Sequence, residues 1–288
     1  MIEKRTLKKE VSFAGVGIHS GKKTTLTLKP SSMGKILFRR LDLDGLEIEV
    51  DPQKVEIRNC VVLVSGEGVV QTIEHLMAVL YIFGLDSLEI ELTGPEIPVM
   101  DGSAAPFALA ILEAGLALLR EKKKSVKILK SHTLQDKLAT LSFSPDSDFR
   151  ISYSIDFPHP LIRRQELDLV LTQKAFLSEI APARTFGFLR DVPELQKHGL
   201  AQGGTLENAI VLDDGKVLGG PLRRPDEFVR HKILDLIGDL ALIGYPLLGH
   251  FRADRAGHSL HLKAVRFLLQ NPDFWAFEEI SFPRHLSG

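Results

Sequence analysis

Cysteine is almost missing from this 288-residue chain, in which Cys60 is the single one. One thiol makes no internal disulfide and cannot build a thiolate-rich zinc site, and such usage fits a reducing compartment. An excess of one charge is missing too. The 36 Lys and Arg against 37 Asp and Glu leave a net charge of −1, so neither a nucleic-acid footprint nor a polybasic membrane patch is expected. No apolar run reaches the ~20 residues that span a bilayer. The two longest, 104–119 and 236–248, are broken by Glu113 and by Asp239 and Pro246. The opening MIEKRTLKKEVSF has charges but no apolar stretch of the signal-peptide kind. A cytoplasmic protein without an integral membrane segment is therefore expected, long enough for one large core or two medium ones.

Against that ordinary background, one stretch is costly. In 228–244, FVRHKILDLIGDLALIG, the apolar residues Val229, Ile233, Ile237, Leu240 and Ile243 recur at helical steps, with Asp226 before them as an N-cap candidate. His231, Asp235 and Asp239 form a second stripe at i, i+4 and i+8, projecting from nearly one face. A lone H-x-x-x-D is more often a surface pair. Inside an apolar helix it can close on a metal from one side.

In chain order, 9–30 reads as a hairpin, with strands at 35–40, 46–50 and 61–64 after it. Next come a helix in IEHLMAVLYIFG closed by Gly84, a strand at 87–92, the loop TGPEIPVMDGS and a helix at 105–119. The charge run 120–124 reads as a boundary, after which the order restarts. Strands at 126–129 and 137–143 form a second hairpin, and after an intervening region come the helix 228–244, a strand at 246–252, the loop ADRAG and a helix at 258–269. The expected fold is α+β, as two similar, duplicated two-layer α/β sandwich units, 1–124 and 125–288, with the active site between them. Each unit carries its own insertion: a small β insertion at about 35–70, and a βαβ excursion at about 167–218 holding short helices near 175–180 and 190–198 and the strand AIVL.

Three places concentrate metal-competent or acid/base side chains: Glu74-His75, the helix bearing His231 to Asp239, and His258. Catalytic zinc takes three protein ligands of N/O type and leaves a position open; His75, His231 and Asp235 supply that count. Glu74, beside a ligand, suits a general base, and His258 held by Asp239 suits the acid. Taken singly, each has a plainer reading. His75 could be a helix-face histidine, Glu74 a solvated carboxylate favoured by the helix dipole, His258 a helix-start cap, and Asp239 a partner of Arg230 or Lys232. The seven other histidines, His261 among them, lack such company, and most of them read as structural.

The blocks GVGIHSGKKTTLTLKP, TIEHLMAVL, PEIPVMDGSAAPF, IDFPHP, ARTFGFLRD, DEFVRHKILDLIGDLALIG and AGHSLH together resemble, in order and over almost the whole chain, the UDP-3-O-acyl-N-acetylglucosamine deacetylase family. That resemblance implies the family's two-domain α+β fold and a zinc hydrolase that removes acetate in the committed step of lipid A biosynthesis, with iron(II) (Fe2+) as the other candidate for Zn2+. It implies His75, His231 and Asp235 as metal ligands, Glu74 as base, and His258 as acid and oxyanion stabiliser. By the same resemblance Thr185 helps bind the oxyanion, Asp239 orients His258, Lys232 approaches the diphosphate, Phe157 stacks on uracil and Phe186 lies against the sugar. Phe186, Phe188, Leu195, Leu200, Ala201, Ile210 and Val211 are expected along a passage for the acyl chain, where Gln202 departs from the apolar residue the pattern favours. The partner is then a small molecule, an acylated UDP-amino sugar, with no nucleic acid, and a monomer is expected. The competing readings are a zinc amidohydrolase of another N-acyl substrate and a nonenzymatic nucleotide-sugar-binding protein with a structural metal.

Overall fold

Alternation builds the first sheet in the computed structural model, which describes residues 2–279. Along Lys23–Pro30, Thr24, Leu26 and Leu28 turn inward while the residues between them face out. This strand forms the expected hairpin with Val11–Val16. It also pairs antiparallel with Leu88–Leu92, which runs parallel to Ile36–Arg40; that strand is hairpinned with Leu46–Glu49. A separate sheet of Val55–Ile57, Val61–Ser65 and Gly68–Gln71 lies in the crossover. The insertion in this half is thus narrower than 35–70, because the strands at 36–49 belong to the main sheet.

The second half repeats these pairings. His132–Asp136 hairpins with Ala139–Ser144, which pairs antiparallel with Leu247–Asp254; that strand runs parallel to Phe149–Phe157, itself paired with Arg163–Val170. In both halves a helix precedes the central strand, Glu74–Phe83 in one and Glu227–Leu240 in the other, and a second helix follows it, Ala105–Ala114 or His258–Gln270. The architecture is α+β. Glu74–Phe83 is apolar nearly all round and buried except at Tyr81, as a helix packed on several sides must be. It lies directly against Glu227–Leu240. A Cβ on Gly238 would come 2.0 Å from the Glu74 carbonyl oxygen, so glycine is what permits the contact.

Four expectations need correction. The helix expected over 105–119 ends at Ala114, where Gly115 takes a φ of 75° that a helix cannot continue. Leu116–Lys123 is instead a strand paired with Ile2–Leu7, so most of the charge run lies in a sheet, with Lys123 paired to Asp86. The strand Ser125–Ile128 is not the hairpin partner of Ala139–Ser144; it pairs parallel with Leu247–Asp254 and antiparallel with Trp275–Glu278. Asp226 makes no side-chain cap, because its carboxylate takes the Arg230 guanidinium through two hydrogen bonds of 2.7 and 2.8 Å. The excursion itself is βαβ: Phe186–Phe188 and Ile210–Asp213 run parallel with Val192–Lys197 between them. It starts later than 167, since 167–170 complete Arg163–Val170.

Candidate metal centre

Glu74 and His75 occupy the first turn of their helix, facing His231 and Asp235 one turn apart on the other central helix. All four are buried. One donor atom from each of His75, His231 and Asp235 lies within 4.8 Å of the others. Asp235 Oδ1 stands 3.4 Å from His231 Nε2 and 3.7 Å from His75 Nε2, while its Oδ2 takes the Lys232 ammonium at 2.6 Å. His231 Nδ1–H donates to the Ala183 carbonyl at 3.1 Å, which leaves Nε2 as the lone-pair nitrogen aimed at the cluster. Burial, with His231 beside it, pushes the His75 pKa down to about 3, and burial also lowers that of His231. Burial would raise Asp235, but Lys232 and the surrounding histidines hold it below the usual carboxylate range. Two neutral imidazoles and one ionised carboxylate converging on one point fit a divalent cation such as zinc.

Two more ionisable groups border this cluster. Burial, reinforced by Asp239 and Asp235, raises Glu74 to about 7; its Oε2 accepts a hydrogen bond from Val61 N at 3.2 Å. His258, the first residue of its helix, places Nε2 3.7 Å from Glu74 Oε1 and 3.9 Å from Asp235 Oδ2. Burial opposes its charge, but Asp239, Asp235 and Glu74 outweigh burial and carry the pKa up to about 10. Its Nδ1–H donates to Asp239 Oδ2 at 2.7 Å. Glu74 is therefore no solvated carboxylate. Nor does Asp239 pair with Arg230 or Lys232, which are held by Asp226 and Glu179 and by Asp235.

These groups open into a cavity of ≈ 420 Å³, lined also by His19, Thr185, Phe186, Phe188, Val192, Leu195, Ala201 and Val211. Lys232 reaches it with its ammonium 5.9 Å from the Phe186 ring centre. Of the expected residues, Phe157, Leu200 and Ile210 are not in the lining. Ile210 points into the core because the strand alternates, giving the cavity face to Val211. Phe157 packs behind Phe186 and Phe188, with ring centres 5.7 and 5.9 Å away. The excursion meets the first half through backbone hydrogen bonds that include Gln202 N to His19 O and Gly203 N to Ile18 O, both 3.0 Å, and Thr185 N to Gly102 O at 2.8 Å.

Three features escaped sequence reasoning. His261 donates to Asp239 and is wholly buried; its only signal was the three-residue step from His258 in HSLH. Glu96 is buried and holds His19 N, Ser20 N and the Thr72 hydroxyl, and Thr72 itself sits at a φ of 57° just before Glu74. Cys60 is buried, with a thiol pushed up to about 12, and so is inert.

A model of the UDP-3-O-acyl N-acetylglycosamine deacetylase family matches residues 4–270. The chain belongs to this family. It is 48% identical over 272 residues to the UDP-3-O-acyl-N-acetylglucosamine deacetylase of Myxococcus xanthus strain DK1622, covering 93% of this chain and 87% of that one. It is 43% identical over 290 residues to the protein of that name from Chromobacterium violaceum, covering 98% and 95%. Identity to the one from Geobacter sp. strain M21 is 42% over 285 residues, covering 98% and 93%. The chain is a deacetylase acting on a small molecule, and among the described residues no helix is long and apolar enough to cross a membrane.

Proposed function

We propose that this deacetylase hydrolyses the acetamide of UDP-3-O-acyl-N-acetylglucosamine, giving acetate and the free 2-amino sugar nucleotide, in the committed step of lipid A biosynthesis in the cytoplasm. The observation that carries the reading is the convergence of His75, His231 and Asp235 within 4.8 Å, in the cavity that Glu74 and His258 also line. The three residues would hold zinc, with iron(II) as the alternative; a bound divalent ion acidifies water and polarises a carbonyl. Glu74 removes a proton from the attacking water as general base. The oxygen charge that develops on the acetamide is met by the Thr185 hydroxyl and His258 N–H. His258, oriented through Nδ1 by Asp239, then gives its Nε2 proton to the departing nitrogen, so the C–N bond breaks to a neutral amine. Lys232 faces the cavity where a diphosphate can be neutralised.

The excursion supplies Phe186, Phe188, Val192, Leu195, Ala201 and Val211 to the cavity, an apolar wall for the acyl chain, where each buried CH₂ is worth roughly 0.8 kcal/mol. A duplicated origin for 1–124 and 125–288 is supported by the matching strand pairings of the two main sheets. The protein works as a monomer, without nucleic acid. Acetate release from the acylated UDP-sugar, abolished by a chelator and restored by zinc, is the expected result; release from simple acetamides but not from the UDP-sugar would reassign the substrate.

A further inference from the structure

Asp239 serves two imidazoles, and the mechanism above uses one. His258 Nδ1 and His261 Nδ1 both lie 2.7 Å from the same oxygen, Oδ2. Among the described residues the other oxygen, Oδ1, is buried and accepts no hydrogen bond. Every hydrogen bond to this carboxyl group thus converges on one atom, and the rotation of the carboxylate is fixed by two donors one turn apart on the helix His258–Gln270. The second donor is anchored in turn. His261 Nε2 lies 3.1 Å from the Tyr153 hydroxyl, which reaches the Ala256 carbonyl at 2.8 Å. Tyr153 belongs to the strand Phe149–Phe157, so the chain runs from the second sheet through the buried Tyr153, His261 and Asp239 to His258, which borders the cavity.

We propose that His261, braced by Tyr153, is a positioning residue for deacetylation: it holds Asp239 in the one orientation that aims His258 Nε2 into the cavity. This rests on the reading in which His258 is the acid. The physical reason is that one donor leaves a buried carboxylate free to swing its unpaired Oδ1 toward His258, turning the ring, whereas two donors on Oδ2 do not. A buried histidine that merely filled space would be indifferent to which of its nitrogens was replaced.

That difference gives the test. Asparagine places an amide nitrogen near the position of Nδ1, glutamine near that of Nε2, and both are neutral and polar. His261→Gln, which loses the donor to Asp239, is expected to lower kcat by roughly 10- to 100-fold with KM changed by less than about threefold. His261→Asn is expected to recover kcat to within about threefold of the parent. Tyr153→Phe, which keeps the ring and removes the brace, should fall between them. Kinetics are measured on the metal-loaded enzyme, with metal content and thermal unfolding followed in parallel, so that folded fraction is divided out. Equal kcat for the Asn and Gln variants, or losses that vanish once corrected for folded protein, overturn the proposal. His258→Gln is run beside them: if it keeps full activity, the acid assignment has failed, whereas its inactivity beside a fully active His261→Gln refutes the His261 role alone.

Discussion

Replacing Gly238 with alanine puts a methyl group where the two central helices touch. The new Cβ would lie 2.0 Å from the Glu74 carbonyl oxygen, 2.7 Å from its carbon and 2.9 Å from Cα, against an ordinary contact of 3.4 Å or more. All three are backbone atoms, so no side chain can swing aside, and the helices must separate by about 1 Å or more. Within its own helix alanine is favoured over glycine by ~1 kcal/mol, while overpacking costs ~1–3 kcal/mol and here stands at or above its upper end. The net loss, ~2 kcal/mol or more, lowers Tm by ~2–4 °C per kcal/mol in a chain of this size. The effect on catalysis is larger. Glu74 and His75 ride on the helix that is displaced, His231 and Asp235 on the other, and a ~1 Å misplacement costs on the order of 10²-fold in rate. Thermal unfolding, elemental analysis and acetate release on one preparation check this. A variant with parental kcat and metal content would show that the helix contact does not set the site.

Removal of any one ligand, by His75→Ala, His231→Ala or Asp235→Ala, is expected to abolish metal retention, and Glu74→Ala to preserve it, as read by elemental analysis after dialysis. Activity should follow a bell-shaped pH profile. Glu74, raised to about 7, must lose its proton and so activity rises with pH through its pKa; His258, raised to about 10, must keep its proton and activity falls above it. His258→Gln should lower the rate by ~10² to 10⁴ and remove the basic limb, a limb whose survival would move the acid elsewhere. Ala201→Phe narrows the cavity wall and should raise KM steeply for long 3-O-acyl chains and little for short ones; equal loss at every length would remove the passage from this place.

The sequence by itself determined most of the elements and which residue types were available for the chemistry. Period-two alternation specified the hairpin of Val11–Val16 and Lys23–Pro30, because a strand with one buried face must alternate. The i, i+4, i+8 spacing placed His231, Asp235 and Asp239 on one helical stripe whatever the rest of the chain did, and the ordered blocks carried the family. Tertiary structure alone decided what depends on neighbours distant in sequence. Whether 116–123 is the end of a helix or a strand turned on the presence of Ile2–Leu7 as a partner and on the positive φ of Gly115. Which residue of the pair Ile210 and Val211 faces the cavity was decided by one-residue register against Phe186–Phe188, and composition is blind to register. His261 read as structural because nothing local says that Asp239, 22 positions away, offers it the oxygen it shares with His258. Burial acts in the same way: the solvation lost by Glu74 and His75, which separates their protonation from that of ordinary side chains, exists only once two helices close at Gly238.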